Sequence, residues 1–230
     1  VDQALRERWF LRDSAGALAL LALWPVGLLF PAPVPLGLGQ VAERLRPTLQ
    51  ELLVGVPWAA GAMALLDTPT AGAAPLRPLA EAGITAMGLL APCLVAYSVM
   101  NPGWRRVAMA AGALALAVAG MTLSTLLNFG PQHAMAWVAP GTPQALGAAL
   151  VLAALLSPVR RPVAVGLALV ALTGLVVGVA HAPNDPYFAQ SLRAWEQGQF
   201  VRFHGLAQWV GWLWPYAAMG WLLTRLGSRR

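Results

Sequence analysis

Three histidines are the residues of this chain whose type best suits metal binding or proton transfer. They are His133, His181 and His204, and each lies in or beside a segment that connects two apolar runs. Metal ligands recur at short spacings within a motif, and the wide spacing of these histidines matches no such motif. We therefore predict no metal and no cofactor, and we expect these side chains to bond water or backbone groups.

Asp185 and Glu196 are the two carboxylates of one connecting segment and form a candidate acid–base pair. The residues between them are typical of one helix, with Asp185 as N-cap, Pro186 at the first position and Gly198 as the stop. On such a helix the two carboxylates would lie about 16 Å apart, too far to serve one bond. We expect Asp185 to cap the helix and Glu196 to pair with an arginine, either Arg193 or Arg202.

Motifs of catalysis are missing from the sequence, since neither G-x-S-x-G nor G-x-x-x-x-G-K-[ST] occurs. The remaining polar residues suit binding, and the best patch is Asn128, Gln132 and His133 close to Trp137. On the face that the charge pattern below assigns to the outside, the candidate binding residues are Asn128, His133, Trp137, His181, Asp185, Trp195, Glu196, Arg202 and His204.

Four tryptophans crowd the last apolar run and could stack on a sugar or an aromatic ligand. Tryptophan also favours membrane interfaces, and anchoring and packing are its commoner roles there. A stacking platform would need the rings turned toward a cavity. The four residues are Trp209, Trp212, Trp214 and Trp221.

The elements that must position these residues are membrane helices. Between Arg106 and Arg160 the chain runs for 53 residues without Asp, Glu, Lys or Arg, and 58% of all residues are hydrophobic. A charge at the bilayer centre costs about 2.5–3.5 kcal/mol on insertion scales, so a charge-free stretch of this length is what lipid requires. The sequence therefore predicts an integral membrane protein.

We predict an all-α fold: one polytopic transmembrane domain over residues 1–230, with about six transmembrane helices and two interfacial amphipathic helices. A span needs roughly 20 apolar residues. The predicted spans are 14–30, 79–100, 107–127, 143–159, 162–180 and 203–226, and the interfacial helices are 39–56 and 186–197. Pro25, Pro92 and Pro215 fall inside spans and predict kinks.

The apolar segment 52–66 has two possible structural interpretations. It is short and contains Gly55, Pro57 and Gly61, so we prefer an interfacial or re-entrant segment to a seventh span. Small residues in the third and fifth spans predict close helix packing. They are Ala110, Ala111, Gly112, Ala113, Gly166, Gly174 and Gly178.

The arginines indicate the orientation. With six spans, ten arginines lie on one side and five on the other, and the five are largely offset by carboxylates. The positive-inside rule therefore places both ends of the chain in the cytoplasm. The sequence pI is near 11. Nevertheless, the basic residues sit at the ends of apolar runs and not on one solvated face, so the partner is the lipid bilayer and not nucleic acid.

The chain starts VDQALRERWF, without an initiator methionine or an apolar leader. A cleaved signal would leave this arginine-rich start outside, against the charge rule, so we expect a fragment of a longer protein. The single cysteine, Cys93, rules out an internal disulfide.

Three stretches carry a resemblance to a family. LNFGPQHAMAWVAPGTP (127–143) and NDPYFAQSLRAWEQGQFVRFHGL (184–206), followed by Trp214 and Pro215, resemble the C-terminal membrane half of long VanZ-like proteins of Gram-negative bacteria. The stretch RWFLRDSAGALALLALWPVGLLFPAPVPLGLGQV (8–41) resembles the middle of the same proteins. The N-terminal VanZ-like region itself has no match here, so no functional residue carries over.

The resemblance implies a protein of the bacterial cytoplasmic (inner) membrane that is linked to the cell envelope or to glycopeptide antibiotics, and that acts by binding or assembly. Its expected partners are the missing N-terminal region or lipid-linked envelope precursors. Two alternatives stay open. One is a transporter subunit, against which the absence of mid-span charge argues. The other is an intramembrane enzyme acting on a lipid-linked or amphiphilic envelope substrate.

Overall fold

The computed structural model describes residues 14–30, 32–41, 49–54, 56, 61, 78–182 and 203–227, and this part of the chain is helical and without strands. Its long helices are α1 (Ala15–Gly27), α2 (Pro78–Val99), α3 (Trp104–Phe129), α4 (Thr142–Leu155), α5 (Arg161–Ala180) and α6 (Phe203–Gly227). A short 3-10 helix, Pro131–His133, follows α3. The predicted all-α fold is confirmed for these residues.

Three of these helices, α2, α3 and α5, are long and apolar enough to cross a membrane. This bears out the expectation of a membrane protein. Helix α6 is also long, at 25 residues, but its tryptophans, glycines and internal Pro215 make it less apolar. The predicted spans 79–100, 107–127, 162–180 and 203–226 each fall on one of these four helices.

Helices α1 and α4 are shorter than predicted. They contain 13 and 14 residues, which is about 20 Å of helix and less than the roughly 30 Å of a hydrocarbon core. The helices in the predicted spans 14–30 and 143–159 therefore end at Gly27 and Leu155, three and four residues before the predicted spans do. Helix α4 ends two residues before Ser157, whose helical conformation the following Pro158 disfavours. The count of six spans does not follow from helix lengths.

Helix α2 lies at the centre of the bundle and contacts α1, α3, α4 and α5, while α6 packs on α1 and α5. Small residues allow the tightest of these contacts. A Cβ on Gly174 would lie 2.5 Å from the Met87 sulfur, and one on Gly178 would lie 2.6 Å from Ile84 Cγ1. The predicted packing role is confirmed for these glycines and for the buried Ala110 and Ala113.

The same prediction is wrong for Gly112 and Gly166, where an added Cβ would meet nothing within 4 Å. Ala111 is likewise exposed. These positions face away from the described part of the bundle, because only one stripe of a helix can point toward its neighbours.

The contacts between helices define two ends of the bundle. Ile84 and Met87 of α2 pack on Gly178 and Gly174 of α5, in reverse order along the chain. Gly39 contacts Val176 of α5 and Pro215 of α6, while Thr173 lies beside Met219. Helix α5 therefore runs antiparallel to α2 and α6. At one end α2, α4 and α6 begin; we call it the cleft end. At the other end α2 and α4 finish and α3 and α5 begin; we call it the arginine end.

Both predicted interfacial helices are described only in part or not at all. The helix expected at 186–197 lies outside the described residues. For the helix expected at 39–56, Val41 and residues 49–53 are helical, whereas Gly39 has a positive φ of 104° and Gln40 lies in a turn, so these two residues precede the helical conformation. Only 52–54, 56 and 61 of the segment 52–66 are described, and its re-entrant path stays a prediction.

Candidate functional site

A cleft of about 170 Å³ opens at the cleft end, between the first turns of α2 and α4. Its polar lining comes from Glu81 and Thr85 on α2 and from Thr142 on α4, and the loop residues Pro140 and Gly141 close one side. We call it the Glu81 cleft. A concave site with a few convergent polar groups is the usual form of a small binding site.

Glu81 gives the cleft its charge. It is the single carboxylate of the sequence between Asp67 and Asp185. It lies in the first turn of α2, where the positive end of the helix dipole stabilises it, and it is half-buried. Its oxygens accept hydrogen bonds, so the cleft suits a ligand that donates them from a hydroxyl or an ammonium group.

Thr142 fixes the wall opposite Glu81. The Ala139 amide donates to Thr142 Oγ1 over 3.0 Å, and the Thr142 amide donates to the Ala139 carbonyl over 3.0 Å. Thr142 is buried, as is Thr85 across the cleft. This reciprocal pair holds the loop 139–142 in one shape, so the cleft is formed before any ligand arrives.

Two of the residues selected from the sequence, Asn128 and Trp137, lie close to this region but do not line the cleft. Asn128 Nδ2 donates to the Ser124 carbonyl at 2.7 Å, and Trp137 Nε1 donates to Thr122 Oγ1 at 3.2 Å. Thr125 Oγ1 donates to the Ala134 carbonyl at 2.6 Å. These bonds close the end of α3 and tie the following loop to it, which is a structural role.

His181 also serves its own helix. Its side chain is exposed, and Nδ1 lies 2.8 Å from the Val177 carbonyl in the last turn of α5. Among the described residues no group of three His, Cys, Asp or Glu side chains could hold a metal. His133 lies in the 3-10 helix Pro131–His133 and His204 in the first turn of α6. Four further candidates lie outside the described residues: Asp185, Trp195, Glu196 and Arg202.

The tryptophans of α6 contribute to packing. Trp214 is buried and donates from Nε1 to the Leu20 carbonyl of α1 at 2.7 Å. Trp212 meets Phe30 edge to face at 6.0 Å and Trp209 at 5.6 Å. Trp209 is largely exposed. Trp212 and Trp214 therefore face neighbouring elements, as the packing interpretation expects.

A second feature is a non-helical segment inside the bundle, described over residues 28–30 and 32–40. Leu28, Phe30, Val34, Leu36 and Leu38 are all buried. Phe30 packs on Ala207 and Trp212 near the start of α6, and Val41 returns to the same cluster. The segment therefore enters and leaves at the same level, and its path is re-entrant.

The middle of this re-entrant segment reaches half the depth of the bundle. Leu36 packs on Gly88, near the midpoint of α2 and about 15 Å from its first residue. A Cβ on Gly88 would lie 2.5 Å from the Leu36 carbonyl oxygen. Leu36 has a φ of 61°, in the left-handed region that non-glycine residues rarely adopt.

Pro215 in α6 explains the hydrogen bond that Gly39 makes with this helix. Pro215 has no amide hydrogen, which leaves the Gly211 carbonyl without its helical partner. The Gly39 amide donates to that carbonyl at 3.0 Å, and the Tyr216 hydroxyl lies 3.3 Å from the Gly39 carbonyl. The segment thus satisfies a backbone group that the broken helix leaves open, as irregular backbone inside a membrane requires.

A third feature is the buried guanidinium of Arg106, at the arginine end. Nη1 donates to the carbonyls of Ser157 (3.2 Å) and Val159 (2.6 Å), and Nη2 to those of Tyr97 (2.6 Å) and Met100 (2.8 Å). The side chain is 0% exposed and lies 5.0 Å above the Tyr97 ring. One cation therefore caps the ends of α2 and α4.

Comparison of the chain with protein-family models, curated proteins and solved structures finds no match.

Sequence reasoning missed Glu81 as a site residue, because a carboxylate near a helix start reads as an interface residue. The signal was its isolation, since an ionisable residue within an otherwise uncharged membrane region marks a candidate site. The sequence shows Arg106 only as a charge at the end of an apolar run, and nothing in its local sequence indicates burial.

Proposed function

We propose that this chain is a membrane protein that binds the polar part of an amphiphilic envelope molecule in the Glu81 cleft. The observation that carries the proposal is the convergence of Glu81, Thr85 and Thr142 on a preformed cleft at one end of an apolar bundle. The VanZ-like resemblance supports a bacterial cytoplasmic membrane location and an envelope role. It also supports binding over chemistry.

The size of the cleft limits what enters it. A volume near 170 Å³ corresponds to about six water molecules at roughly 30 Å³ each. It holds a headgroup fragment, such as one hydroxylated or amine-bearing ring, while an acyl or prenyl chain lies along the lipid-facing helices. The first turns of α2 and α4 offset part of the Glu81 charge, which favours a neutral or zwitterionic headgroup over a simple cation.

The lining favours binding over catalysis. Glu81 is the one titratable side chain among the residues that line the cleft. General acid–base and glycoside chemistry need two such groups or a nucleophile with a base beside it. The intramembrane-enzyme alternative therefore draws no support from this cleft.

We further propose six membrane segments with both chain ends in the cytoplasm, so that the cleft end faces outward. Four long helices supply four of these segments. The short α1 crosses together with the residues that follow it, and α4 crosses as a short helix that lies against α2. The arginine distribution supports the orientation.

One observation favours a second function, a transporter for an uncharged or amphiphilic molecule. Transport sites are often built from broken helices and irregular backbone near mid-depth. The re-entrant segment has this form, with Leu36 against α2 and Gly39 against the proline of α6. No ion coupling is proposed, because the described spans carry no charge at mid-depth.

Replacement of Glu81 by glutamine tests the proposed site. The full chain in phosphatidylcholine vesicles is titrated with a fluorescent polyprenyl-linked amino sugar. We expect Glu81→Gln to weaken the Kd by about tenfold or more, because a hydrogen bond to a charged group contributes about 1.5–3 kcal/mol. Glu51→Gln, at the exposed carboxylate of the 49–53 helix, is the matched control and should bind like the wild type.

Two readouts separate the alternatives. An unchanged melting temperature shows that Glu81→Gln is folded, and equal binding by wild type and Glu81→Gln would refute the cleft as the site. A leaflet-specific quencher reports whether bound probe crosses the bilayer. Crossing that depends on the protein supports the transporter, whereas binding without crossing supports the binding protein.

A further inference from the structure

The arginine end brings two turns of the chain side by side. One turn joins α2 to α3 and the other joins α4 to α5. The guanidinium of Arg106 bridges them, since it donates to Met100 in the first turn and to Ser157 and Val159 in the second. Arg105 precedes Arg106 in the sequence, and Arg160 follows Val159. Both arginines are thereby held at the same end of the bundle.

Positive charge accumulates in the two turns at this end and in the chain between them. Residues 100–162 contain four arginines and no Asp or Glu. Glu81 lies at the opposite end of α2, about 27 Å along the helix from Val99. The first turns of α3 and α5 add the positive ends of two helix dipoles.

The four arginines differ in burial and in the hydrogen bonds that their guanidinium groups donate. Arg106 is buried against four carbonyls. Arg161 is half-buried, donating from Nε to the Met100 carbonyl at 3.4 Å and from Nη2 to Asn101 Oδ1. Arg160 is exposed. We call Arg160 and Arg161, at the start of α5, the arginine ledge.

The surroundings of the ledge are those of the lipid headgroup region. It lies at the ends of α2, α3 and α5, the three helices that are long and apolar enough to cross a membrane. Trp104, at the start of α3, is 71% exposed, and exposed tryptophan at the end of a span is typical of the interface. Basic groups at this level attract anionic lipid.

We propose that the arginine ledge binds the phosphate of an anionic phospholipid. Guanidinium groups bind phosphate oxygens through paired hydrogen bonds, and the two helix N-termini favour the same charge. The Arg106 bridge holds the two turns together, so the ledge is shaped before the lipid arrives. This site lies at the opposite end from the Glu81 cleft and does not depend on the function proposed for it.

The test compares lipids and variants on the full purified chain. Native mass spectrometry measures lipid retention and a thermal assay measures the melting temperature, with phosphatidylglycerol, phosphatidylcholine or inorganic phosphate added. We expect phosphatidylglycerol alone to be retained and to raise the melting temperature. Arg160→Gln should weaken retention about fivefold, and the double variant Arg160→Gln/Arg161→Gln should weaken it about 30-fold.

Arg225→Gln is the matched control. Arg225 carries the same charge at the end of α6, where it lies 5.0 Å above the Trp221 ring, and its loss should leave lipid retention within about twofold. Equal losses in Arg160→Gln and Arg225→Gln would show general surface attraction and overturn the proposal. Equal stabilisation by inorganic phosphate would also overturn it. The exposed position of Arg160 keeps the single variant informative even if the double variant does not fold.

Discussion

Arg106→Gln is expected to destabilise the folded protein by about 3–5 kcal/mol, the cost of breaking a buried charged network. Glutamine is too short and has too few donors to reach both turns, so the carbonyls of Tyr97, Ser157 and Val159 would lose the Arg106 donor, and Met100 would keep only the 3.4 Å bond from Arg161. A buried carbonyl without a partner costs about 1–3 kcal/mol. Thermal or denaturant unfolding in detergent measures the loss.

Two further variants show whether geometry or charge is responsible. Arg106→Lys keeps the charge but replaces the planar fork by a single ammonium, and it should recover less than half of the lost stability. Arg160→Gln removes an exposed charge from the same end and should change stability by less than about 0.5 kcal/mol. Wild-type stability of Arg106→Gln would contradict the capping role of this side chain.

Gly88→Ala is expected to displace the re-entrant segment. The added Cβ would lie 2.5 Å from the Leu36 carbonyl oxygen and 2.6 Å from Leu36 Cβ, and neither backbone nor a Cβ can move aside cheaply. We expect a destabilisation of about 1–3 kcal/mol, typical of overpacking. A cysteine introduced at Leu38 in a Cys93→Ser background, buried in the wild-type packing, should become reactive to maleimide when Gly88→Ala is added.

Gly83→Ala is the control on the same helix, because an added Cβ there would meet nothing within 4 Å. It should leave both stability and the reactivity at position 38 unchanged. If Gly88→Ala behaves like Gly83→Ala, the segment does not pack at mid-depth against α2.

The helices that the sequence predicts well are those with charges or loop signals at both ends. Helix α5 begins at Arg161 and α3 begins close to Arg105, so an uncharged run between such markers locates a span within a few residues. In the runs 14–30 and 143–159 the helix ends at Gly27 and Leu155, and the apolar run continues for three and four residues beyond it. The hydropathy of a segment shows whether lipid or a protein core can accept it, but it does not show where a helix ends.

The re-entrant segment shows the limit of local patterns more clearly. Proline and glycine in 52–66 predict re-entry there, while the same residue types in 31–39 lie between the predicted span 14–30 and the predicted interfacial helix 39–56 and give no such prediction. Contacts between residues distant in sequence place the re-entrant segment inside the bundle. Gly88 leaves room for Leu36, and Pro215 leaves the Gly211 carbonyl open for Gly39. No single stretch of sequence contains both partners.

The candidate site was predicted less well than the fold. Polar residues were selected where they cluster in sequence, and Asn128, Trp137 and His181 prove to bond neighbours within their own segments. The Glu81 cleft joins residues about 60 positions apart, which only the packing of α2 against α4 brings together.

Photo-crosslinking at Pro140 tests the central claim, ligand binding in the Glu81 cleft, most directly. Pro140 is exposed and lines the cleft, and Gln132 is exposed at the same end but outside the lining. A benzophenone amino acid at position 140 should form an adduct with the polyprenyl-linked amino sugar, and Glu81→Gln should abolish it, while position 132 should form none. Equal adducts at both positions, or an adduct at 140 that persists in Glu81→Gln, would contradict the claim.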